Sequence, residues 1–200
     1  MKRNKNSEMK KINKNRQNKI IRITGLCGVM VPIVVFSSIG LAISQAPWFR
    51  WTQNALSDLG IDKPSANFFN MGMVLGGVLV LIFSLGLIKT MTNKTGPILL
   101  CLSSSALIGV GLFPETIYVP HFVTSATFFI LLTLSLLVIG ITSKGNKFER
   151  SMGTAAIFFV IFPINSTLLL ALLDGMAIPE MLVFSPAFIW CMIYGVKIML

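Results

Sequence analysis

A chain of 200 residues in which 54% are hydrophobic and 12% charged, with a mean hydropathy of +0.79, is too apolar for a soluble domain, where about a quarter of residues carry charge. The net charge of +10 would suit a nucleic-acid binder, but nine of the seventeen Lys and Arg lie within the first 22 residues. The basicity belongs to a tail, and composition points to an integral membrane protein with no nucleic-acid partner.

Residues 1–22 are rich in Lys and Asn and poor in apolar side chains, so they cannot bury enough surface to fold alone. A basic, disordered or surface-lying cytoplasmic arm is expected. It either only fixes orientation or also touches anionic lipid headgroups, where each basic residue adds about 1 kcal/mol. A cleavable signal peptide is not expected, because the apolar run that follows is long enough to span and Pro47 follows the only small-residue site.

Residues 23–200 then read as an all-α membrane domain, a six-transmembrane-helix bundle. Apolar spans are expected at about 23–43, 68–88, 97–113, 120–141, 154–173 and 179–197, each close to the roughly 20 residues that a bilayer core requires. Between the first two lies Trp48 to Asn70, the one long stretch that is neither basic tail nor apolar run. The third span carries Ser103, Ser104, Ser105, Gly109 and Gly111, and the second a Gly72/Gly76 pair, small residues that let helices approach closely. Pro32, Pro163 and Pro186 are expected to bend their spans, and Asn165, Ser166 or Thr167 to bond across helices.

Fifteen of the seventeen basic residues fall on the side of the N-terminus, leaving Arg50 and Lys63 opposite. This asymmetry predicts both termini in the cytoplasm and a location in the inner or plasma membrane. Asp58, Asp62, Glu115, Asp174, Glu180 and the single histidine, His121, then gather at the outer face. Asp62, Glu115 and Glu180 suit the positive starts of helices, where Ser65 is a candidate N-cap for the second span. Asp174 follows a helix end and Asp58 sits well before one, so neither has that explanation. Catalytic candidates are Ser57, Asp58, Glu115 and His121, and metal candidates Asp58, Glu115, His121 and Asp174, since His with carboxylates can hold a divalent ion. HExxH, GxSxG and GKS/T motifs are absent, so no cofactor is assigned. Cys27, Cys101 and Cys191 all fall inside spans and read as core.

Asn54-Ala55-Leu56-Ser57-Asp58-Leu59-Gly60, then Asn67-Phe68-Phe69-Asn70 before a glycine-rich span, then Gly111-Leu112-Phe113-Pro114-Glu115 with His121 six residues on, resemble the prokaryotic family known as DUF998. The resemblance covers about residues 20–200. More distantly the same motifs are similar to the six-span damage-regulated autophagy modulators. It implies six helices, a site at the non-cytoplasmic face, and importance for Ser57, Asp58, Glu115 and His121, without a reaction.

Two readings follow. In one the outer polar group is a structural cap or a lipid- or partner-binding site. In the other the protein is a small membrane-embedded hydrolase of lipid headgroups, with or without a metal ion, with His121 as base oriented by Glu115 and Asp58 holding a cation or polarising water. A transporter is a weaker third, because no ionisable residue lies mid-span.

Overall fold

The computed structural model describes residues 2–169 and 174–200, with side chains over 14–162 and 174–200. Among these residues there are six long helices and no strand: α1 Lys2–Ser44, α2 Ser65–Thr90, α3 Thr95–Leu112, α4 Tyr118–Thr142, α5 Lys147–Leu169 and α6 Ala177–Met199. A short 3-10 helix, Leu56–Gly60, interrupts the long link between α1 and α2; we call it the cap helix. Prolines mark most boundaries. Pro97, Pro120 and Pro179 sit in the first turns of α3, α4 and α6, where a missing N–H costs nothing. Hence three helices start two residues before the expected spans.

Five helices, counting α1 from Lys14, are long and apolar enough to cross a membrane. Their outward faces carry exposed Leu41, Met71, Leu75, Leu102, Ile130 and Ile193, surface that only lipid would cover. This is a multi-pass membrane protein. The basic segment forms the start of α1 without a break; it holds no Pro or Gly before Gly25, and Lys, Arg, Gln and Met are good helix formers.

The helices pack in a closed ring in chain order, each against its sequence neighbours, with α6 returning to α1. The short links after α2 force the helices they join to run antiparallel, and glycines bring neighbours together. A Cβ added at Gly195 of α6 would lie 2.5 Å from the Gly25 carbonyl oxygen of α1, and one at Gly77 of α2 would lie 2.9 Å from the Ile108 backbone nitrogen of α3. Gly72 and Gly76 receive Ser38 and Val35 of α1, and Gly140 meets Gly153 between α4 and α5. In lipid the hydrophobic effect gives helices little reason to associate, so such contacts and interhelical hydrogen bonds must do it. Ser103 Oγ donates to the Phe128 carbonyl at 3.0 Å, Ser135 Oγ to that of Gly96 at 2.8 Å, and Trp190 Nε1 to that of Met152 at 2.9 Å.

One expectation changes. Ser65 is not the N-cap of α2; Pro64 holds that position, and the buried Ser65 hydroxyl donates to the Asp62 carbonyl at 2.7 Å. Pro32 and Pro186 lie inside continuous helices. The side chains of Pro163, Asn165, Ser166 and Thr167 lie outside the described residues. Cys27, Cys101 and Cys191 are free thiols within helices.

Candidate functional site

One end of the ring is closed by the cap helix, and hydrogen bonds from distant parts of the chain fix it there. Asp58 Oδ2 accepts from Asn54 Nδ2 at 2.8 Å and from the Ala55 N–H at 3.1 Å, so this carboxylate ties off the start of its own turn. Asn54 Oδ1 accepts from the Arg50 N–H at 2.9 Å. At the other end of the turn, Asn70 Nδ2 of α2 donates to the Gly60 carbonyl at 3.0 Å. The long-range anchor comes from α6, where Glu180 Oε2 accepts from the Leu56 N–H at 2.8 Å. The backbone joins the same two regions: the Gly175 N–H donates to the Thr52 carbonyl at 3.0 Å and the Ala177 N–H to that of Asn54 at 2.9 Å.

Beneath the cap helix lies a narrow slot with a cavity volume of about 40 Å³. Its walls are apolar, with Val35 and Ile39 from α1, Phe69 and Met73 from α2, Leu107 and Val110 from α3, Phe128 and Phe129 from α4, and Phe184 and Phe188 from α6. Leu56 of the cap helix completes the apolar lining, and only Ser57, Ser125 and Glu180 are polar. Glu180 and Phe188 are just over two helical turns apart, so the slot runs about 12 Å along α6. An apolar recess with a few polar groups at one end is the usual form of a small-ligand site.

His121 is buried in the first turn of α4. Its Nδ1 lies 2.8 Å from the Phe113 carbonyl, which can only accept, so in the neutral ring Nδ1 carries the proton and Nε2 is the acceptor. Ser125, one turn on, lies with its Oγ 3.3 Å from that Nε2. The group that orients His121 is therefore a backbone carbonyl, and the Glu115 partnership expected from the sequence gives way to it. Glu115, half-buried between α3 and α4, leaves Oε2 enclosed without a hydrogen-bond partner, as Asn70 leaves Oδ1. Its charge and that of Asp58 both act on Glu180.

Of the residues singled out in the sequence, Ser57 lines the slot, Asp58 holds the cap helix, and Glu115 and His121 stand at the same end of the ring. Asp174 is exposed on the turn before α6. Among the described residues no three His, Cys, Asp or Glu side chains are grouped so as to hold a metal ion. Two lining residues, Ser125 and Glu180, were not among the catalytic or metal candidates. Ser125 was legible as the residue four on from His121, on the same helical face. Glu180 was read as a helix-start acid, and nothing in the sequence signals a bond across 124 positions.

A Ser and His in this relation have the parts of a nucleophile and its base. A tetrahedral oxyanion, however, requires donors, and the charged neighbour in this slot is a carboxylate. The arrangement suits binding better than acyl transfer.

A family model described as a protein of unknown function (DUF998) matches residues 29–197. No curated protein matches the chain, and no solved structure does.

Proposed function

The chain belongs to the DUF998 family, and from that premise we propose that it is a six-span plasma-membrane protein whose outward-facing cap closes a narrow apolar slot that takes the end of a lipid acyl chain. The carrying observation is the slot itself, running about 12 Å along α6 and polar only at Ser57, Ser125 and Glu180. Both termini are cytoplasmic in this reading, supported by the basic residues at the end of the ring opposite the cap. The basic start of α1 then lies against anionic headgroups.

The test is mass spectrometry of lipid carried by the detergent-purified protein, beside Val110→Phe, which fills the slot from α3. The wild type should retain about one acyl-chain compound per protein and the variant should lose it. Equal retention by both would remove the slot as the site.

A second reading, hydrolysis of a lipid ester, has the Ser125–His121 contact in its favour. Loss of ester turnover in Ser125→Ala, with lipid retention unchanged, would establish it; a wild type without turnover sets it aside.

A further inference from the structure

At the end of the ring opposite the cap, a recess of about 600 Å³ opens between the α2–α3 link, the α4–α5 link and α6, a volume usual for a small-molecule site. Alternate helices of the ring, α2, α4 and α6, bound it, so it lies toward the bundle axis and faces water rather than lipid. Tyr194 of α6 forms part of its wall. The Tyr194 ring packs on Trp190 and Phe148, with centroids 4.9 and 5.7 Å away, and the residue is only 7% exposed. Its hydroxyl makes no hydrogen bond among the described residues, and a buried polar group without a partner is costly.

The charged groups of the wall are likewise without partners of opposite sign. Lys144 forms no ion pair among the described residues, whereas other cations at this end are engaged: Lys94 Nζ donates to the Met91 carbonyl, and Lys197 Nζ lies 5.8 Å from the centre of the Phe148 ring. Glu149 Oε1 accepts from Asn146 Nδ2 at 3.4 Å. Glu149 Oε2 folds back over Gly145, where a Cβ would collide with it, and is unengaged among the described residues. α2 and α4 both end here, and their carbonyl ends add negative potential. A plain anion would meet Glu149 and these helix ends, and a plain cation would meet Lys144. A molecule carrying both charges satisfies both sides, and Met91 and Ile141 offer it an apolar patch.

We propose that this recess binds a small zwitterion from the aqueous phase, an α-amino acid with an apolar side chain. Its carboxylate lies at Lys144 and the Tyr194 hydroxyl, its ammonium at Glu149 Oε2, and its side chain against Met91 and Ile141. The site is separate from the slot beneath the cap and does not depend on what that slot holds.

The experiment is calorimetric titration of the detergent-purified full chain at pH 7 with leucine, with 3-methylbutylamine, which lacks the carboxylate, and with 4-methylpentanoic acid, which lacks the ammonium. Leucine should bind roughly tenfold or more tighter than either analogue. Lys144→Gln, at an exposed position, should bring leucine down to the level of the amine, and Glu149→Gln should bring it down to the level of the acid. Gly145→Ala, which displaces the Glu149 carboxylate without changing charge, should act as Glu149→Gln does. Tyr194→Phe should weaken leucine and the acid several-fold and leave the amine unaffected. No saturable binding of leucine by the wild type, or equal binding of all three probes, overturns the inference. A preference for leucine that survives in both Lys144→Gln and Glu149→Gln overturns the assignment to this recess.

Discussion

Glu180 and Asp58 show how an acid can be structural and still set up a site. Each accepts a backbone N–H of the segment that carries the cap helix, Glu180 that of Leu56 and Asp58 that of Ala55. Leu56 is buried, so removing the Glu180 acceptor strands a donor, at a cost of about 1–3 kcal/mol. Thermal melting in detergent should therefore rank wild type first, Glu180→Gln next and Glu180→Ala last. Equal melting of the two variants would show that the cap does not depend on this bond. Asp58→Ala loses acceptance from two donors, Asn54 Nδ2 and the Ala55 N–H, and should melt below wild type by a comparable margin, with Asp58→Asn between them. At this scale the sequence was only partly legible. Asp58 stood out because no helix start explained it, and its explanation proved to be a turn four residues wide. Glu180 is the helix-start acid that the sequence predicts, but its partner on a remote loop leaves no local trace.

At the scale of elements, the ring depends on glycine wherever two backbones pass closest. A methyl group at Gly195 meets the Gly25 carbonyl of the facing helix, and backbone cannot swing aside as a side chain can. Overpacking of this kind costs about 1–3 kcal/mol. Gly40, near the end of α1, has nothing within 4 Å of an added Cβ, so alanine there removes only backbone freedom and should hold or raise stability by up to about 1 kcal/mol. Gly195→Ala should accordingly melt well below wild type and Gly40→Ala at or above it; the reverse order would mean that α1 and α6 do not pack through glycine. The helices were legible because apolar runs of span length bounded by Pro and polar links have few other solutions in lipid. The Gly72/Gly76 pair likewise pointed to packing. Which helix each glycine faces was not legible, since that follows from ring closure, and the meeting of α6 with α1 joins the two ends of the chain. The slot was illegible for the same reason: its walls come from five helices and the cap, each contributing a few apolar residues that look like any other core.

The contacts at the two ends of the whole molecule argue that α5 crosses the membrane. The turn before α6 shares backbone hydrogen bonds with the α1–α2 link through Gly175 and Thr52, so both belong to the cap end. The α4–α5 link, with Ser143, Lys144 and Gly145, lines one recess with Met91, Thr92 and Asn93 of the α2–α3 link, which puts those two at the other end. Only α5 connects Lys144 to Asp174, and its 23 residues rise about 34 Å, enough for a bilayer core of about 30 Å. Charge points the same way: Lys89, Lys94, Lys144, Lys147, Arg150 and Lys197 all lie at the end opposite the cap, which the positive-inside bias assigns to the cytoplasm. The prediction can be checked after replacing Cys27, Cys101 and Cys191 and introducing single cysteines by Lys144→Cys and Asp174→Cys, both at exposed positions. In intact cells a membrane-impermeant maleimide should label the protein at position 174 and should reach position 144 only after permeabilisation. The opposite pattern would invert the protein and place the slot's polar end at the cytoplasmic face. Labelling of both positions from one side would mean that α5 does not cross, and a ring closed by α5 and α6 could not then stand in the bilayer.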